Sequence, residues 1–266
     1  MKPITCTPRH ALGVFIRSAI VLGSLALSAP AEPTAASEPS KAAPEQIKLP
    51  GIVINPKRRC VDVEATVCLS QGFLELIACT KDSKEHESII VVEARPIHIH
   101  TALLLLGAKN GNPAMRRAIN EEQTRWVDLP PRGDLIDVFI EYKDPKGKTV
   151  ERPIGDFIAR SDLEDDGFAA DPADAAAKER FSDTFLFAGS QLHGDGDTPR
   201  KYLADLSGNV ISIGSFGDEL LCLPEIMSHE NGSLMWQVDS THLPALGTKV
   251  TLRLCVKKQP EEPATP

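Results

Sequence analysis

The sequence predicts an α+β fold built mostly of antiparallel β hairpins, about nine or ten strands with one clear short helix. Three observations lead there. Residues 60–69 alternate strictly, with Val61, Val63, Ala65, Val67 and Leu69 set against Cys60, Asp62, Glu64, Thr66 and Cys68, which buries one face of a strand. Turn signals such as "DPKG" and "SGN" separate further short apolar runs. Only "RPIHIHTALLLLG" carries a helix start and a helix stop together, Pro96 at the first position and Gly107 after the last leucine.

Residues 1–31 read as a signal peptide. Lys2, Arg9 and Arg17 precede the apolar run Ser18–Ala29, and Ala29-Pro30-Ala31 offers small residues for cleavage. The run is about half of the ~20 residues that cross a bilayer, so no transmembrane anchor is expected after cleavage. Residues 32–48, rich in Pro, Ala, Ser and Glu, are expected to be a disordered linker, and 258–266 a disordered tail. Residues 49–257 remain for a single domain, with the charged stretch 162–180 as a surface insertion. Export takes the net charge from −8 to −11 by removing three positive side chains. An acidic chain of this kind excludes nucleic acid and anionic membrane as expected partners.

Within the domain, 60–69 and Phe73–Thr80 read as a hairpin turning at "SQG", and "SIIVVEA" as a central strand. "DLIDVFIEYKDPKGKTVERPI" is a second hairpin, and "KYLADLSGNVISIGSF" a third, turning at "SGN". "GDFIAR" fits one helical turn; "SDTFLFAGSQL", "LLCLP", "SLMWQVD" and "KVTLRLCV" supply strands.

Cleavage leaves Cys60, Cys68, Cys79, Cys222 and Cys255, an odd number, so at least one thiol stays unpaired. Cys60 and Cys68 lie on one strand roughly 26 Å apart at ~3.3 Å per residue and share nothing. In the tight-turn register Cys79 falls about four residues from either, beyond the ~7 Å Cα limit for bridging. The hairpin therefore excludes a Cys60/Cys68/Cys79 cluster, and any disulfide uses Cys222 or Cys255.

The run "CTKDSKEHESIIVVEARPIHIHTALLLLGAK", with "FLFAGSQL", "YLADLSGNVIS" and "SFGD", resembles the YdjY-type domain of bacterial exported proteins over about residues 49–256. The resemblance implies an exported protein and one domain. It carries over no catalytic residue.

Metal ligation is the first chemistry to weigh, because His, Asp and Glu gather at "KEHES" (Glu85, His86, Glu87), "HIH" (His98, His100) and "HGDGD" (His193, Asp195, Asp197). On a strand His98 and His100 share a face and can ligate one ion. On a helix they are ~200° apart and cannot. The proline and leucines favour the helix, leaving one of the two free to face a site that His86 or His193 and Asp195 complete. A divalent metal held by His86, His98 or His100, His193 and Asp195 is thus the candidate cofactor. "DGD" has part of a calcium loop without its closing Glu.

A G-x-S-x-G elbow is missing, and Ser190 with His193 three residues on makes no nucleophile–base pair. Among the thiols, Cys79 is the one to test, since Lys81, Lys84 and His86 nearby can lower its pKa. The expectation is an exported, periplasmic or secreted domain that binds a small ligand, a metal or an envelope protein. The alternative is a metal-dependent enzyme with a His/Asp site assembled from three loops.

Overall fold

The alternating stretch becomes β1 (Cys60–Val67), with Val61, Val63, Ala65 and Val67 buried and Glu64 exposed. In the computed structural model seven strands join it: β2 (Leu76–Thr80), β3 (Ser88–Val92), β4 (Leu135–Lys143), β5 (Thr184–Leu186), β6 (Asn209–Ser212), β7 (Leu221–Cys222) and β8 (Lys249–Val256). Their order is β1-β8-β4-β5-β7-β6-β2-β3, and β3 pairs back onto β1 to close an eight-stranded barrel. Six junctions are antiparallel. Two, β6–β7 and β2–β3, are parallel. The structure describes residues 46–120, 122, 124–161, 180–194, 199–227 and 235–257.

Eight strands enclose a space that side chains alone can fill. Register places Val61 beside Leu254 and Val138, and Val63 beside Leu252 and Ile140. Across the closing junction Val67 meets Ile90, which faces Ala78. All of these are buried. The outer wall of the same strands carries charge. Arg253, 5% exposed, bonds both oxygens of Asp62 (2.6 and 2.7 Å), Glu141 (2.9 Å) and Glu151. Apolar inside and ionic outside is the polarity of a packed core, the reverse of a lipid-facing barrel. No helix among the described residues is long and apolar enough to cross a membrane.

A closed, mostly β barrel corrects the expected α+β arrangement of hairpins. The strand content is higher than expected, and two of the barrel junctions are parallel. The first expected hairpin is not one, because β3 lies between β1 and β2. Residues after β1 detour instead of turning: Leu74 N–H donates to the Trp236 carbonyl, on the far strand Trp236–Val238. Where "SGN" was expected to turn a hairpin, α2 (Leu203–Ser207) forms and stops at Gly208, φ 83°. The "DPKG" hairpin is present, pairing β4 with Thr149–Pro153, and Asp144 Oδ1 accepts from Lys146 and Lys148 N–H.

The helix after β3 is α1 (Pro96–Leu105), which buries Ile99, Ala102 and Leu103 in the barrel's core cluster. Its start has no local side-chain cap; Asp205 of α2 supplies one, accepting from Ile97 N–H at 3.0 Å and pairing with Arg95. A disulfide joins Cys60 to Cys255, register partners on β1 and β8, Cα–Cα 4.1 Å. Strand Ile47–Leu49, antiparallel to Ile52–Asn55, takes in the last two residues of the expected linker. Residues 32–45 of that linker, the tail 258–266 and residues 162–179 of the expected insertion lie outside the described residues.

Candidate functional site

The polar chemistry gathers where α1 and α2 meet the short-stranded side of the barrel. His100 sits on the second turn of α1, half-buried, edge-on to the rings of Phe187 (4.8 Å) and Tyr202 (5.6 Å). The Tyr202 hydroxyl donates to the Gly189 carbonyl at 2.8 Å, so it accepts from His100 Nδ1, also at 2.8 Å. That network assigns neutral His100 its proton on Nδ1 and leaves Nε2 an acceptor. Burial holds the imidazole below its ordinary pKa.

Gly189 and Ser190 both adopt positive φ, 82° and 52°. A side chain at 189 would meet Asn110 Cβ at 2.6 Å, so glycine is required there. Ser190 is held in the left-handed region because its hydroxyl works in two directions. It donates to the Asp218 carbonyl and accepts from Ala204 N–H at 3.0 Å, tying α2 to the 217–222 segment. Asp218 in turn accepts from Asn209 Nδ2 at 2.6 Å. Glu219 is 0% exposed, with one oxygen accepting from Asp218 N–H at 2.9 Å. Burial raises its carboxyl above the usual range, with the Asp218 charge adding to this. Among the described residues, Glu219 Oε1, Asn209 Oδ1 and Ser212 Oγ are buried without a protein partner.

Beside this network opens a groove of about 420 Å³, bounded by Arg95, Ile97, Leu192, Arg200, Lys201, Tyr202, Asp205 and Leu206. A larger cleft of about 960 Å³ lies on the outer wall, floored by Glu64, Thr66 and Thr251 and rimmed by Lys81, Glu93 and Lys249. It is open and of mixed charge, and none of those six side chains is buried. The smaller groove has the chemistry, since Tyr202 connects it to the buried network.

Among the described residues, the predicted ligands His86, His98, His100 and His193 join no group that could hold an ion. His98 points to solvent from α1 while His100 packs inward, as the ~200° spacing requires. His86 lies on the turn Glu85–Glu87, its side chain 77% exposed beside Glu87, and His193 is exposed on the strand Leu192–His193. Asp195 and Asp197 lie outside the described residues. Among the described residues no three His, Cys, Asp or Glu are placed to share an ion. Ser190 is engaged with Asp218 and Ala204, not with His193.

Tyr202, Asn209, Asp218 and Glu219 escape sequence reading, because buried polar residues in short segments have no periodicity. One signal was present: the end of "CTKDSKEHESIIVVEARPIHIHTALLLLGAK" supplies His100, and "FLFAGSQL", "YLADLSGNVIS" and "SFGD" supply Phe187, Ser190, Tyr202, Asn209 and Asp218.

Fold and site together define a disulfide-closed β-barrel domain with a polar network lodged between its wall and two short helices. The family model for the YdjY domain matches residues 52–255, nearly the whole barrel, and the chain belongs to that family. No curated protein and no solved structure matches the chain.

Proposed function

We propose that this chain is an exported domain of the cell envelope that binds a small anionic ligand in the groove between α1 and α2. The observation that carries it is a local reversal of charge. In a chain of net charge −8, the groove gathers Arg95, Arg200 and Lys201 around one carboxylate among the described residues. That carboxylate, Asp205, is already paired with Arg95 and with the Ile97 N–H of α1. Among the described residues, Arg200 and Lys201 have no acidic partner. The volume suits a small molecule, and Tyr202, buried with its hydroxyl held by His100 and Gly189, lines the groove.

Export is supported by the leader pattern and by the Cys60–Cys255 disulfide, a bond that persists in oxidising compartments. Expressed whole in a Gram-negative host, the chain is expected in the periplasmic or extracellular fraction, beginning at Glu32. A cytosolic chain retaining Met1 would overturn that half. For the ligand, thermal shift and calorimetry with phosphate, sulfate, citrate and a sugar phosphate are expected to find binding that falls at least tenfold in R200E/K201E. Binding unchanged by that charge reversal, or no binding of any anion, would overturn the other half.

A further inference from the structure

The groove between α1 and α2 is only partly polar. A two-stranded ribbon borders it, Leu192–His193 antiparallel to Lys201–Tyr202, with Leu192 opposite Tyr202 and His193 opposite Lys201. Opposite residues of an antiparallel pair lie on the same face, and alternate residues share that face. Leu192 and Tyr202 therefore share a face with Arg200, which stands just before the second strand. Gly194, across from it, leaves room for the arginine stem: a Cβ at 194 would meet Arg200 Cα at 3.1 Å and Cγ at 3.5 Å.

The helices add aliphatic surface to the same groove, Ile97 from α1 and Leu206 from α2. Leu192 is 59% exposed and Leu206 60%, while Ile97 is half-buried. A single exposed leucine on a protein surface needs no explanation. Two on one groove, with a third aliphatic residue and cations beside them, make an amphipathic site. Its charged end is equally defined. Arg95 and Asp205 satisfy each other, and the Asp205 side chain is only 9% exposed. Arg200 and Lys201, both exposed, are left to meet an anion. The Tyr202 hydroxyl is already engaged by His100 and Gly189, so it needs no polar partner from a ligand.

We infer that the ligand is an amphiphilic anion, a free acid whose carboxylate or phosphate pairs with Arg200 and whose short hydrocarbon chain lies over Leu192, Leu206 and Ile97. The inference rests on the anion reading above and narrows it, since phosphate, sulfate and citrate offer a head without a chain. A guanidinium holds a carboxylate or phosphate through two parallel hydrogen bonds. Covering the leucines removes apolar surface from water and adds affinity with each methylene buried. The volume of about 420 Å³ lies near the lower end of small-molecule pockets. It suits one short chain rather than the paired chains of a membrane lipid.

The test is calorimetry on the purified chain with acetate, butyrate, hexanoate, octanoate and octyl phosphate, beside phosphate and citrate. Affinity is expected to rise about two- to fourfold per added methylene, so octanoate should bind at least tenfold tighter than butyrate. In Leu192→Ser/Leu206→Ser, both at exposed positions, that gain is expected to shrink below about threefold. In R200E every member of the series is expected to weaken at least tenfold. Phosphate or citrate binding that is lost in R200E/K201E, with no gain from butyrate to octanoate, would overturn the chain and leave the anion groove standing. Binding by neither series would overturn both. A gain that survives the double serine variant would also overturn the inference. So would co-sedimentation with phosphatidylglycerol vesicles that R200E abolishes, since the groove would then belong to a membrane-held lipid.

Discussion

One side of the barrel is regular and the other is not. β1, β8 and β4 run eight, eight and nine residues, pair antiparallel in unbroken register and alternate buried with outward side chains. β7, β6, β2 and β3 run two, four, five and five residues, include both parallel junctions, and shift register between β6 and β2. They are buried at every position except Thr80 and Val91, and α2 and the turn 85–87 pack against β6, β2 and β3. The lesson is a division of labour. The long strands form a self-sufficient frame with charges outside, and the short ones admit polar groups, thiols and left-handed residues into the interior.

If the frame is a frame, damage to it should be costly and leave the short-stranded side chemically unchanged. Cys60→Ser/Cys255→Ser removes a closure across 195 residues and is expected to cost about 3–5 kcal/mol of unfolding free energy. Urea denaturation measures that cost, and Cys79 reactivity in the folded double mutant should match the wild type. Arg253→Met leaves Asp62 and Glu141 without their shared cation beside Glu151, which keeps only the exposed Arg58, with an expected loss of about 3 kcal/mol. High salt should recover part of it, since like charges on an outer wall are screened. A loss under 1 kcal/mol in either variant would mean that the frame does not hold the barrel.

The short-stranded side should respond to smaller insults with more specific effects. Gly208 ends α2 at φ 83°, and a Cβ there would sit 2.4 Å from Ser83 Oγ and 2.7 Å from Thr80 Oγ1. Gly208→Ala is expected to cost about 2 kcal/mol. It should also push Ser83 off the Thr80 carbonyl, to which its hydroxyl donates at 2.6 Å, so that amide exchange rises in the crossover 81–87 while the barrel stays folded. Unchanged exchange there would mean that the crossover takes the added methyl without moving.

How much of this was legible follows the same division. Period two exposes β1 to sequence reading because one face is buried and one is wet, and Pro96 with Gly107 exposes α1. Asp144 marks its turn through side-chain hydrogen bonds that depend on local sequence alone. Barrel closure was not legible, since β3 is apolar on both faces and nothing in "SIIVV" says which strands flank it. The expected first hairpin failed for that reason: it rested on a turn at "SQG", whereas Leu74 pairs with Trp236, 162 positions on. The Cys60–Cys255 bond agreed with the weaker deduction that a disulfide needs Cys222 or Cys255. The polar network was invisible because its members, Ser190, Asn209, Asp218 and Glu219, come from three separate short segments.

The smallest expected effect sharpens the comparison most, because it reads the interior of the short-stranded side by its protons. Burial raises the Glu219 carboxyl above its ordinary 4.5. A raised acid binds its proton more tightly folded than unfolded, so its contribution is fully present below pH 4.5 and is lost as pH rises through the folded value. His100 runs the other way. Its pKa is lowered from 6.5 by burial, so its stabilising contribution holds above pH 6.5 and fades as pH falls toward the folded value. Urea midpoints across pH 4–9 are expected to show both limbs. Glu219→Gln should remove the alkaline limb, gaining stability over the wild type progressively above pH 4.5, and His100→Phe should flatten the acid limb. Curves for Glu219→Gln and the wild type that run parallel across that range would mean the Glu219 charge is accommodated in the fold, and the buried side would then be as tolerant of charge as the outer wall around Arg253.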